Sequence, residues 1–293
     1  MNNFPKISII TPSYNQGEYI EKTIKSILSQ EYPNLEYIII DGGSTDNTID
    51  IIKKYESNID YWVSEPDDGQ SNAINKGFEK STGDLLIWIN SDDWLLPGVV
   101  SKIAEAYNAN KDCGVFVGLS RVLDSAGKVV EEGQPIGDVT IDSLFKWLDN
   151  KNFSQPSSFF TREVWETCRP LDEDLHIAFD LDFWIRIKKK GFNFKVINEI
   201  LSEELYHSEA KTRKYYRLAV LDIGLVITRH GGEKYVRPYL EKMINNLTRY
   251  ERNYKLIIRN PLYRFIYSVS RRLFNSDVSI IESVPFRSKK EKL

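Results

Sequence analysis

Residues 84–94 read Asp-Leu-Leu-Ile-Trp-Ile-Asn-Ser-Asp-Asp-Trp. An apolar run over Leu85–Ile89 breaks into polar residues and then into Pro97-Gly98. A run this short and this apolar suits a strand buried on both faces, a central strand of a parallel sheet. Its C-terminal end delivers Asn90, Asp92 and Asp93 to the sheet edge where open α/β folds bind their ligands. Two adjacent carboxylates repel each other. A hard divalent cation shared with an anionic ligand relieves that repulsion; solvation at a strand-to-helix turn does so too.

The residues before this stretch alternate in period. Lys6–Thr11, Leu35–Ile40 and Asp60–Ser64 read as strands. Helical spacing follows the first at Ile20, Ile24, Ile27 and Leu28. It follows the second at Ile49, Ile52 and Tyr55, with Asp46 as cap, and the third at Ala73, Ile74 and Phe78. The alternation β-α-β-α-β-α-β predicts an α/β fold, a mostly parallel sheet flanked by helices. Beyond it the spacing predicts a helix from Pro97 and a hairpin over Val115–Val130 turning at Asp124–Gly127. A short helix through Leu144–Leu148, a strand at Ser157–Thr161 and a helix over Asp180–Lys190 ending at Gly191 complete the body.

The chain's net charge of −3 hides an asymmetry. Residues 211–293 hold 19 Lys+Arg and 7 Asp+Glu, a net of +12, so residues 1–210 carry −15. The composition divides the chain into an acidic body, 1–210, and a basic helical extension, 211–293, with helices expected at 212–229, 233–250 and 261–275. In the last, Leu262, Phe265, Ile266, Val269 and Leu273 form one stripe beside arginines. Such an extension suits an anionic membrane surface, docking on the acidic body, or a homodimer interface. No apolar run approaches the roughly 18 residues that span a bilayer. No signal peptide is legible, and the two cysteines, Cys113 and Cys168, make no disulfide framework. The expected setting is cytoplasmic, peripheral on the inner face of the cell membrane.

Three strand-end loops carry turn residues and polar groups: Thr11–Gln16, Asp41–Asp46 and Asn90–Asp93. In a parallel sheet they converge on one crevice. A P-loop motif is absent, and no Gly-x-Gly-x-x-Gly follows the first strand, so ATPase and dehydrogenase chemistry lose their main support.

The segments ISIITPSYNQGEYIEKTIKSILSQ, YIIIDGGSTDNT, EPDDGQSNAINKGFEKSTGDLLIWINSDD, FSQPSSFFTREVWE and LDEDLHIAFDLDFWIRIKKKG resemble the inverting nucleotide-sugar glycosyltransferases of family 2. The likeness runs over residues 6–210. It implies a GT-A, Rossmann-like fold, a nucleotide-sugar donor, UDP-linked, and Mn2+ or Mg2+. By the same likeness Thr11, Pro12 and Tyr14 meet the base and ribose. Asp41 accepts from the uracil ring N–H, and Asn75 and Lys76 reach the base or diphosphate. Asn90-Ser91-Asp92-Asp93 stands where the family has Asp-x-Asp. Asn90 departs from that pattern; it would bond ribose and leave the metal to Asp92, with Asp93 as second ligand or ribose contact. His207 resembles the family's late histidine near diphosphate and metal. Asp180 matches the base that deprotonates the acceptor hydroxyl, with Phe179 replacing a frequent acid, and the helix dipole is expected to keep it ionised. Gln155-Pro156-Ser157 falls on the acceptor side, and Trp184 is read as core.

The expected activity is single-sugar transfer to a glycan or lipid-linked acceptor, as in surface-polysaccharide assembly, without nucleic acid. The segment Gln-x-x-Arg-Trp of processive synthases is absent. A nucleotidyltransferase would want a basic, Gly-rich first loop, and Thr11–Gly17 holds no Lys or Arg. A non-catalytic nucleotide-sugar-binding scaffold would have no use for Asp92 and Asp180 together.

Overall fold

A computed structural model describes residues 4–149, 152–207 and 209–241, with positions 245, 249 and 252 beyond them, and backbone only at 212, 213 and 217. The elements run β1 (Ile7–Ser13), α1 (Ile20–Leu28), β2 (Leu35–Asp41), α2 (Thr48–Lys54), β3 (Tyr61–Ser64), α3 (Gln70–Lys80) and β4 (Leu85–Trp88). They continue β5 (Asp93–Leu95), α4 (Val99–Ala109), β6 (Cys113–Leu123), β7 (Val129–Glu132), α5 (Ile141–Phe145), β8 (Ser158–Thr161) and α6 (Arg162–Cys168). The last are α7 (Phe179–Lys189), β9 (Asn193–Leu205), α8 (Lys211–Lys214) and α9 (Tyr216–Arg229).

Among the described residues one sheet has the order β3-β2-β1-β4-β8-β6-β9-β5, with β7 beside β6. The first four strands are parallel, as the apolar runs of β1, β2 and β4 favour, with β3 as the partly exposed edge. Every residue of β1 and β4 is buried. Helix α3 lies so close to β1 that a β-carbon on Gly77 would come 2.4 Å from Ile10 Cγ2. The second half of the sheet is mixed. β4 pairs β1 in parallel and β8 in antiparallel, so the central strand is parallel on one side only. β6 runs antiparallel to β7 and β8 but parallel to β9.

β9 has no counterpart in the sequence expectations. Its thirteen residues interleave charge with apolar side chains and stay partly exposed through most of their length, which blurs the strand period. β5, only three residues long, pairs antiparallel with β9, Asp93 opposite Glu204. That pairing carries the chain from the end of β4 across to the far edge of the sheet. Beneath β4, Trp88 stacks on Trp184 at 5.8 Å between ring centroids. Trp184 is core, as expected. Phe78, Phe160, Trp165 and Phe183 complete the aromatic cluster in edge-on and tilted pairs, each worth about 0.5–1.5 kcal/mol beyond its burial.

Packing divides the chain into Met1–Tyr235 and Val236–Leu293. The composition shift at residue 210 does not coincide with this division, because α9 lies in the first unit. Its Asp222 accepts the Ile177 N–H at 3.1 Å, and His230 beyond it meets Asp182 of α7 at 2.8 Å. Residues 233–241 are helical. Apart from positions 245 and 249, which are helical, the rest of the helix expected to 250 lies outside the described residues, as do the stripe over 261–275 and the dimer interface expected there. Among the described residues no helix is long and apolar enough to cross a membrane.

Candidate active site

The three expected loops meet at the carboxyl ends of the parallel strands and are stitched into one rim. Asn15, at φ 51° in the left-handed region that asparagine tolerates, receives the Thr45 N–H on Oδ1 at 2.8 Å and donates its own N–H to Ser44 Oγ at 2.7 Å. Gln16 N–H reaches Thr48 Oγ1 at 2.9 Å, and Gly17 N–H reaches Asp46 Oδ2 at 3.0 Å. Asp46 also receives the Thr48 N–H. Against the desolvation that burial imposes, the Thr48 and Gly17 bonds hold its carboxyl below the usual range. It serves the start of α2 and the first loop at once. Ser91 Oγ donates to the Pro12 carbonyl at 2.8 Å, tying the third loop to the first. Thr11 is buried under Tyr37, whose hydroxyl donates to it at 3.2 Å. Tyr14 is 60% exposed at the rim. Ser13 Oγ is buried without a hydrogen-bond partner among the described residues.

Asp41, at the end of β2, has no exposed surface. It receives the N–H groups of Gly43 and Ser44 and the hydroxyls of Ser44 and Ser64. Asn75 is equally committed. Its amide donates to the Leu171 carbonyl and to Glu173, and accepts the Leu171 N–H at 2.9 Å. It ties α3 to the 171–173 segment and does not join the other predicted residues. Lys76 pairs with Glu65 at 3.0 Å on the outer side of α3.

The third loop carries the charge. Thr23 Oγ1 of α1 donates to the carbonyls of Ser91 and Asp93, fixing the turn. Asn90 accepts from Gln70 Nε2 at 2.7 Å and donates to Asp93 Oδ2 at 3.0 Å. Gln155 Nε2 donates to the Trp88 carbonyl, while Pro156 and Ser157 are buried. Asp92 meets His207 Nε2 at 3.0 Å. A carboxylate only accepts, so Nε2 carries the proton in this pairing. His207 packs near Tyr19 at 4.5 Å between ring centroids, and its Nδ1 is buried without a partner among the described residues.

Asp93 is buried, and burial first, then Asp92 and Glu204, push its carboxyl well above the usual range. Glu204 was not anticipated. It sits opposite Asp93 in the β5–β9 register and takes the Ser120 hydroxyl. It too is raised, first by burial, with Asp92 adding to it. Asp180 lies at the first turn of α7, half-buried. Burial lifts it to about 6, against a 2.7 Å bond from the Leu181 N–H, and Glu204 adds to the rise. The first turn of α7 was expected to favour the ionised carboxylate, and burial works against that. Lys211, also unanticipated, donates to Gln70 Oε1 at 3.2 Å and stands within electrostatic reach of Asp180. Burial depresses its ammonium, with Asp222 and Asp180 opposing. Glu204 lies near the end of β9, which has no clear sequence pattern, and Lys211 stands one residue before the helix expected at 212–229, where a lysine reads as one more basic residue of the extension.

Among the described residues no group of three or more His, Cys, Asp or Glu side chains is arranged to hold a metal ion. Asp92 and His207 nonetheless fit a cation that takes the rest of its shell from substrate. Once a cation displaces the Nε2 proton, the two atoms, 3.0 Å apart, match neighbouring vertices of an octahedron with bonds of about 2.1 Å. Mg2+-like ions commonly bind through one or two protein groups plus phosphates and water. Asp93, buried and bonded through Oδ2 to the Asn90 amide, fits less well as a second carboxylate ligand.

A mixed α/β sheet with a carboxylate-lined crevice at the ends of its parallel strands defines the GT-A class of fold. The chain belongs to glycosyl transferase family 2, whose model matches residues 8–167. It is 32% identical to an uncharacterized glycosyltransferase of Mycobacterium tuberculosis over 189 residues, 64% of this chain and 70% of that protein. It is 26% identical to the chondroitin synthase of Escherichia coli over 84% of this chain but only 36% of the synthase. The fold is shared with Staphylococcus aureus TarS 1-349 in complex with UDP-GlcNAc, TM-score 0.58 at 18% identity, covering 80% and 71% of the two chains. It is shared also with a mannosyltransferase from Pyrobaculum calidifontis in complex with GDP-Man and Mn2+, TM-score 0.58 at 15% identity, covering 94% and 89%.

Proposed function

We propose that this glycosyltransferase moves one sugar per encounter, with inversion, from a UDP-linked donor to a hydroxyl of a glycan or lipid-linked acceptor. What supports the reading is that Asp180 and the Asp92–His207 pair both lie within electrostatic reach of one half-buried carboxylate, Glu204. Asp180 Oδ1 is taken by the Leu181 N–H, which leaves Oδ2 for the acceptor's O–H. A base raised to about 6 is still ionised at neutral pH, yet basic enough to draw a proton as the oxygen attacks. Attack from one side with departure on the other inverts the anomeric carbon, the logic of inverting glycoside hydrolysis with a hydroxyl in place of water.

Asp92 and His207 would hold Mn2+ or Mg2+, which when bound neutralises charge on the departing diphosphate. Lys211 supplies a second positive charge on the same side as Gln70 and Asn90, and Tyr14 offers an open ring to the nucleotide. The chondroitin synthase likeness supports a glycan acceptor. Peripheral attachment to a cytoplasmic membrane face is supported by the +12 charge of residues 211–293 and by the exposed leucines of α9. The test is a donor screen with Mn2+ and an oligosaccharide acceptor, reading nucleoside diphosphate release and the product's anomeric configuration by NMR. A β-linked product from an α-linked UDP-sugar is expected. Retained configuration, or hydrolysis and transfer unaffected by Asp180→Asn, would overturn the assignment.

A further inference from the structure

The segment that follows β9 delivers two groups to the crevice, His207 and Lys211. His207 meets Asp92. The Lys211 ammonium meets an amide instead, Gln70 Oε1, at 3.2 Å. It is half-buried, and among the described residues it forms no ion pair. It stands 5.8 Å from the centre of the Phe179 ring, next to Asp180 in the chain, and within electrostatic reach of that carboxylate. An ammonium only donates, so Gln70 turns Oε1 towards it and Nε2 away. Nε2 donates to Asn90 Oδ1 at 2.7 Å, and Asn90 in turn donates through Nδ2 to Asp93 Oδ2 at 3.0 Å. The chain Lys211–Gln70–Asn90–Asp93 therefore runs in one direction, and each amide in it both accepts and donates. This gives a reason for the amide at position 90. An aspartate there could accept from Gln70 but not donate to Asp93, and it would set a third carboxylate beside Asp92 and Asp93.

We propose that Gln70 is a positioning residue for the base: from the first turn of α3 it holds the Lys211 ammonium beside Phe179, so that a fixed positive charge stands near Asp180 during proton transfer. The role rests on the transfer reading above and deepens it. Burial first, and then Glu204 of β9, raise the Asp180 carboxyl, while the Leu181 N–H and Lys211 oppose that rise. Burial also depresses the ammonium, against Asp222 of α9 and Asp180. His176, in the segment before α7, is the other titrating group near Lys211, and burial and then Lys211 push its imidazole below the ordinary range. Without Gln70 the ammonium loses its one hydrogen-bond acceptor among the described residues. A lysine in that position swings its charged head out to water along its flexible stem, and the charge leaves the base.

The test is the pH profile of kcat/KM for the full chain in saturating Mn2+, with the donor and acceptor found by the screen above. Lys211→Met should move the acid-side inflection up by roughly half to one pH unit, the low end of what an opposite charge does to a nearby carboxylate. Lys211→Arg, which keeps the charge, should leave it near the wild-type value. Gln70→Ala should move it up as Lys211→Met does, and the double variant should go no further than Lys211→Met alone. Gln70→Met, of similar length but without the amide, should match Gln70→Ala and guards against a packing effect. In a His176→Gln background the rise on Lys211→Met should persist. The Mn2+ concentration for half-maximal rate should stay at the wild-type value throughout. An unmoved or lowered inflection in both Gln70 variants, shifts that add in the double variant, or a rise that vanishes with His176 overturns the proposal. So does a raised Mn2+ requirement in place of the shift, which would make Gln70 a brace for the His207 segment. A wild type that transfers sugar with no acid-side inflection removes the base assignment of Asp180 itself, and a wild type that transfers none removes the parent reading.

Discussion

Asp92 and His207 lie 115 residues apart in the chain and meet at 3.0 Å. The meeting is made by β5 and β9. Asp93 begins β5, Glu204 stands opposite it near the end of β9, and the residues just outside that pair, Asp92 before and His207 after, are brought together. A two-residue cation site built across a strand pair fails when either member is removed. Asp92→Ala and His207→Ala should each lower kcat/KM by about 10²- to 10³-fold, the scale of losing one preorganised charge-stabilising group. Both should raise the Mn2+ concentration needed for half-maximal rate. Initial rates against Mn2+ in EDTA-stripped buffer check this, and an unchanged metal requirement in Asp92→Ala would refute the pairing's role.

Asp180 makes a pH prediction with a definite sign. The active form of a general base is the deprotonated one. With burial holding its carboxyl at about 6, kcat/KM should be level above that pH and fall about tenfold per unit below it. Asp180→Asn should reduce kcat by about 10²- to 10⁴-fold while leaving donor affinity, read by titration calorimetry, near the wild-type value. Ser120→Ala, which removes the hydroxyl that Glu204 receives, should move the inflection without abolishing transfer.

The parts of this site legible in the sequence are those in which one short segment contains both the apolar run and the polar turn that ends it. Leu85–Asp93 is the clearest case, and the loops after Thr11 and Asp41 follow the same rule. Local pattern fails where a partner is remote. Asn75 looks like a surface-helix amide, and only the 171–173 segment, nearly a hundred residues on, reveals its clamp. Glu204 looks like one acid among several in Glu199–Glu204, and only the β5–β9 register sets it against Asp93. The working range of Asp180 depends on burial contributed by several elements, which no residue spacing expresses.

At the other end of the strands, Glu36 is held by the Lys6 ammonium at 2.7 Å, by the hydroxyls of Ser8 and Thr82 and by the Thr82 N–H. Against the penalty of burial, these bonds draw its carboxyl down to about 2. A folded value below the unfolded one stabilises the protein at every pH above the unfolded value. That stability is lost as pH falls through the ordinary glutamate range toward 2. Glu36→Gln should therefore cost on the order of 1–3 kcal/mol at neutral pH. The difference from wild type should shrink toward pH 2 in urea melts. Because Glu36 lies away from the crevice, donor affinity should be unchanged.

The outer face of α9 bears on where the enzyme works. Leu218, Leu221 and Leu225 are 38%, 58% and 52% exposed and, at spacings of three and four, share one helix face. Tyr215 and Tyr216 are exposed at its start. Residues 211–235 carry six Lys+Arg against two Asp+Glu. Inserting such leucines into a lipid interface gains at most about 1.5–3 kcal/mol each, and each basic group near an anionic leaflet adds roughly 1 kcal/mol. The two contributions separate experimentally. The full chain should float with phosphatidylserine vesicles at low salt and release in high salt, whereas Leu221→Gln/Leu225→Gln should fail to float while keeping transfer to a soluble acceptor. Wild-type protein that stays at the bottom of the gradient at low salt would show that this face meets something other than lipid.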